Sequence, residues 1–119
     1  MKYAIIDSVS DLCAEHENLW VFCGSHGGIN AAKHALTFNI RGIVFNDAGV
    51  GKDNAGVAGL SLCEKHSVPA ACVDCYTSRI GEGKETLNGI VSRVNKHAQS
   101  LGIGEGMPCR QIIGILESK

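Results

Sequence analysis

The sequence predicts a three-layer α/β/α sandwich of the open, doubly wound type, built on a short, mainly parallel sheet. Three observations predict it. Leu19–Cys23, Ile43–Phe45 and Ala70–Val73 are apolar throughout rather than alternating, as strands covered on both faces require. Each run ends in a polar, glycine-bearing loop, and apolar residues at helical spacing follow each loop. Parallel strands joined by right-handed helical crossovers bring all three loops to the carboxyl edge of the sheet, the edge where open α/β sheets bind ligands.

Taken in order, Tyr3–Ile6 reads as a short first strand. Asp7, Ser8 and Ser10 then offer capping side chains for a helix through His16, with Val9, Leu12 and Cys13 on one face. A helix starting nearer Ala4, with no first strand, is the alternative. After the Leu19–Cys23 strand, Ile29, Ala32 and Leu36 mark a helix that fades at Asn39. Ile43–Phe45 is the next strand, and Asn46–Asn54 the longest polar connection. Asp53 stands where an N-cap belongs for a helix over Ala55–His66.

Pro69 introduces the strand Ala70–Val73, at a position that needs no ladder donor. Beyond the loop Asp74–Gly83, the stripe Leu87, Ile90, Val91, Val94, Ala98 and Leu101 predicts a long amphipathic helix, with Gly102 just past its end. Cys109, Ile112, Ile113 and Leu116 predict a terminal helix, although the Ile-Ile pair also suits an edge strand.

The 119 residues suffice for a single α/β domain, 1–119, folding alone or as a small homo-oligomer. A net charge of −1 and only 5% aromatic residues argue against nucleic-acid binding, which needs phosphate neutralisation and stacking surfaces. No apolar run is long enough for a bilayer and the start carries no secretory pattern, so a cytoplasmic protein with no membrane partner is expected. There the six cysteines should be free thiols.

The loops carry the functional expectations. Cys23-Gly24-Ser25-His26-Gly27-Gly28 opens a helix with unobstructed backbone N–H groups, a setting that favours a carboxylate or phosphate. His26 is the expected general acid or base, with Asp47 orienting it and Ser25 helping to stabilise negative charge. Gly24, Gly27, Gly28, Asn46, Lys52, Ser78 and Arg79 complete the expected anion site, in which Lys52 and Arg79 grip the ligand. Gly49-Val50-Gly51-Lys52 lacks the spacing of a phosphate-binding P-loop, and Asp53 replaces its magnesium-binding hydroxyl.

No cofactor is implied, and the expected partner is a small anionic molecule. Zinc held by Cys23, His26, Cys72 and Cys75 is disfavoured because Cys72 and Cys75 fall on opposite sides of a strand end. Cys13, Cys63 and Cys109 read as core residues.

His26-Gly27 after one apolar run and Cys75 after another resemble the dyad loops of the caspase-like cysteine peptidases. The resemblance covers these two loops only and implies a Cys75 nucleophile with His26 as its base. Here the strand Ile43–Phe45 intervenes between them. The functional expectation is therefore an anion-binding enzyme of the hydrolase, isomerase or lyase type. Its alternatives are a non-catalytic binding or regulatory module and a Cys75–His26 hydrolase.

Overall fold

The computed structural model describes residues 3–118. Its sheet comprises β1 (Tyr3–Ile6), β2 (Trp20–His26), β3 (Gly42–Asn46), β4 (Ala70–Val73) and β5 (Val91–Val94). The five strands lie side by side in chain order, the first four parallel and β5 antiparallel to β4. Around them are α1 (Ile29–Ala35), α2 (Gly59–Lys65), α3 (Gly83–Leu87), α4 (Lys96–Ser100) and α5 (Gln111–Glu117). The α/β class and the mainly parallel sheet are as the apolar runs predict. Because the strand order never reverses, no switch-point crevice forms; parallel direction alone gathers the loops.

Alternate residues of each central strand enter different apolar clusters, as the pleat demands. Val21, Cys23, Ile43, Phe45, Ala70 and Cys72 pack with Ala31, Ala32 and Ala35 of α1 and with Leu60 and Cys63 of α2. Trp20, Phe22, Val44, Ala71 and Val73 pack instead with Leu87, Ala98, Ile112 and Leu116 from α3, α4 and α5. Coverage of both faces is why Trp20–Cys23, Ile43–Phe45 and Ala70–Val73 are apolar at every position. Burying Phe22 and Phe45 completely contributes about 1.5–3 kcal/mol each.

Four expectations need correction. The chain after β1 forms two 3-10 turns, Val9–Asp11 and Ala14–His16, rather than one helix. Ser8 and Asp11 cap the first turn reciprocally, and Leu12 then turns extended and ends it. Since β1 exists, the alternative helix from Ala4 does not form, and Cys13 lies exposed instead of in the core.

Asp53 caps no helix. It sits in a 3-10 turn, Lys52–Asn54, at φ +56°, and α2 begins only at Gly59. The long helix predicted across Leu87–Leu101 is instead α3, β5 and α4. Asn88 and Gly89 end the first piece, Val91 and Val94 pair with β4, and Asn95 caps α4 by accepting from the Ala98 N–H. Gly102, at φ +94°, does end that segment, and the terminal stretch is helical. Among the described residues no helix is long and apolar enough to cross a membrane.

Candidate functional site at the carboxyl edge

The loops after β2, β3 and β4 emerge side by side and are bonded to one another. The Gly27 N–H donates to the Asn46 carbonyl, the Asp47 N–H to the Val73 carbonyl, and the Gly81 N–H to the Gly24 carbonyl. β2 bulges between Phe22 and His26 before rejoining β3 at the His26–Asn46 pair. Gly24 sits in that bulge, where any side chain would collide with the backbone of Asp7, Gly81 and Glu82. The glycine therefore admits the third loop against the first.

His26 ends β2 with its ring exposed, and its Nδ1 accepts the Gly28 N–H at 3.1 Å. In a neutral ring so bonded the proton resides on Nε2, which makes His26 a hydrogen-bond donor toward solvent rather than a ready base. Ser25 is engaged locally: its Oγ accepts the Val9 N–H at 3.0 Å, tying the first 3-10 turn to the sheet. Gly28 immediately precedes the seven-residue α1.

Asn46 and Asp47 hold the loops together. Asn46 is wholly buried; its Nδ2 donates to the Ser78 carbonyl at 3.0 Å and its Oδ1 accepts the Ala48 N–H at 2.8 Å. Asp47 is 4% exposed. Its Oδ1 accepts the N–H groups of Gly49 and Cys75 at 2.8 and 3.1 Å, and its Oδ2 accepts the Ser92 hydroxyl at 2.7 Å. None of these partners is His26, so Asp47 orients backbone, not the imidazole. Beyond it the chain runs through left-handed backbone at Ala48, Gly49, Val50, Gly51, Asp53 and Asn54. Among the described residues, the N–H groups of Lys52 and Asp53 in this run find no acceptor, and the Lys52 side chain is exposed without an ion-pair partner.

In the third loop Ser78 is buried and donates through Oγ to the Glu85 carbonyl at 2.7 Å. Arg79 is exposed and pairs with Glu82 at 3.3 Å. Cys75 is half-buried; desolvation and the nearby Asp47 and Asp74 carboxylates push its thiol above the ordinary range. That is the opposite of what activates a nucleophile, and no hydrogen bond joins Cys75 to His26.

Comparison with family models, curated proteins and solved structures finds no match to this chain. The site therefore rests on its own chemistry. One ligand-type constellation is present among the described residues: donor atoms of Asp47, Asp74 and Cys75 lie within 4.8 Å of one another. Three hydrogen bonds already meet the Asp47 carboxylate and the thiol resists ionisation, so the cluster behaves as a hydrogen-bonded junction. Cys23, His26, Cys72 and Cys75 are not brought together as a metal-ligand group. Sequence reasoning missed Ser92, the partner of Asp47, and Thr86, whose buried hydroxyl donates to the Cys23 carbonyl at 2.9 Å. Ser92 was hidden by reading its strand as helix, and Thr86 carries no local signal at all.

Proposed function

We propose that the protein binds a small carboxylate- or phosphate-bearing molecule at the carboxyl edge, with the His26 Nε2–H and the Lys52 ammonium as its principal donors. The observation that supports this most is the left-handed run from Ala48 to Asn54. Non-glycine residues in such backbone cost on the order of 1–3 kcal/mol each, and such strain collects where a loop serves a ligand. Here it accompanies two N–H groups and an ammonium, unpaired among the described residues, at an exposed tip. Arg79, already bonded to Glu82, is a secondary contributor.

If the protein is an enzyme, its chemistry is polarisation of a carbonyl or phosphoryl oxygen by the His26 Nε2–H, with general-base work requiring His26 first to give up its bond to Gly28. Hydrolysis, isomerisation and elimination all use such a donor. A binding module would use the same atoms without turnover.

Titration with inorganic phosphate, followed through the NMR signals of the His26 ring and the Lys52 and Asp53 amides, tests the reading. Saturable shifts are expected in all three. Lys52→Ala and His26→Ala should each weaken binding by about tenfold, the worth of one charge-assisted hydrogen bond, while Arg79→Ala changes it by less than about threefold. Silence of these signals at millimolar phosphate, or a response that survives both substitutions, defeats it.

A further inference from the structure

A cavity lies at the other end of β4, away from these loops. It has a volume of about 560 Å³ and is walled by α2 on one side and by the end of β5 and the start of α4 on the other. The floor is apolar, from Leu60 and Val94. The rim is polar, and its groups divide unevenly between donors and acceptors.

Glu64 is the rim's carboxylate, and it is already engaged. Its Oε1 accepts the His97 N–H at 3.0 Å, and its Oε2 lies 2.7 Å from the His97 Nδ1, an ion-pair distance off the line of a good hydrogen bond. Desolvation raises the Glu64 carboxyl, but the His97 backbone and ring outweigh it and hold the group below the usual carboxylate range. It is therefore an ionised group committed to the start of α4. What remains on the rim are Lys65 and Lys96, each exposed and without an ion-pair partner among the described residues, together with Ser61 and Gln99, whose side chains make no hydrogen bond there.

We infer that this cavity is a second binding site, for an organic anion with an apolar body, whose carboxylate sits between Lys65 and Lys96 while its hydrocarbon covers Leu60 and Val94. The two ammonium groups come from α2 and α4, the two walls of the cavity. With its one acidic side chain consumed, the rim favours an anion over a cation of the same size. The apolar floor adds affinity in proportion to the surface covered. The site shares no residue with the carboxyl-edge loops.

Hexanoate and hexylammonium, equal in apolar length and opposite in charge, are the probes. Binding is followed by the amide signals of Ser61, Val94 and Gln99. Saturable shifts are expected with hexanoate, at least about tenfold tighter than any with hexylammonium. The variant K65Q/K96Q should weaken hexanoate by about tenfold, whereas Lys84→Gln, a lysine outside the cavity, leaves it unchanged. The Ala98 and Leu101 signals report whether α4 remains folded in the variant. Equal response to both probes, no response to hexanoate, or a response untouched by K65Q/K96Q overturns the inference. None of these outcomes bears on phosphate at His26.

Discussion

At the scale of single residues, Asp47 illustrates how a buried carboxylate is satisfied by its neighbours and how much stability its removal should cost. Its three accepted bonds join its own loop, the loop after β4 and the edge strand β5. Hydrogen bonds to a charged acceptor contribute about 1.5–3 kcal/mol each, and their losses overlap when one side chain makes them all. Asp47→Ala should therefore destabilise the fold by about 3 kcal/mol in urea unfolding, while Ser92→Ala, which removes one donor, costs about 1 kcal/mol. Equal losses in the two variants would mean that only the Ser92 bond matters. Asp47→Asn carries a second readout. Removing the negative charge lowers the Cys75 thiol toward its ordinary value, so alkylation of Cys75 near neutral pH should speed up.

Among the elements, the segment from α3 to α4 separates what local pattern can determine from what pairing decides. Leu87, Ile90, Val91 and Val94 satisfy helical spacing, but Val91 and Val94 are β-branched and equally suited to a strand. Pairing with β4 breaks the tie, and no residue within the segment announces a partner strand. The same limit explains the candidate site. Its position was legible, because Leu19–Cys23, Ile43–Phe45 and Ala70–Val73 are apolar throughout and the loops after them are glycine-bearing; its internal bonds were not, because Ser92 and Thr86 come from other parts of the chain. Asp53 misled because a capping residue and a left-handed one draw on the same side-chain types.

Asn95 holds the junction of β5 and α4 in place. It is buried, accepts from the Ala70 and Ala98 N–H groups at 3.0 and 2.9 Å, and donates to the Val68 carbonyl at 2.9 Å. The Asn95→Ala change removes a helix cap and strands buried partners, for an expected loss of about 3 kcal/mol in urea unfolding. Asn95→Asp keeps both accepted bonds but turns a carboxylate oxygen, in place of the donor, toward the Leu60 and Val68 carbonyls, so it should recover little of that loss; full recovery would mean that the donated bonds contribute nothing.

The behaviour of the whole molecule at high pH is governed by its thiols. All six cysteines are free, and desolvation raises five of them above their ordinary value of 9.0, the half-buried Cys75 and four buried thiols: Cys63 to about 11, Cys109 to about 12, with Cys23 and Cys72 also raised. The folded state thus holds these protons where the unfolded chain releases them. Their contribution is fully present below pH 9.0 and is lost as pH rises from there through the folded values. Each thiol that ionises only on unfolding removes roughly 1.4 kcal/mol per pH unit, so Cys63, Cys72 and Cys109 acting together remove about 4 kcal/mol over one unit, a large part of the stability of a small domain. Urea unfolding across this range should show a steep alkaline decline. The decisive comparison is Cys109→Ala. It loses some stability at every pH through the atom removed, but its slope between about pH 10 and about pH 11 should be shallower by roughly 1.4 kcal/mol per unit. A slope identical to the parent's would mean that Cys109 ionises within the folded molecule, and that the face of the sheet packed by α3, α4 and α5 is open to hydroxide.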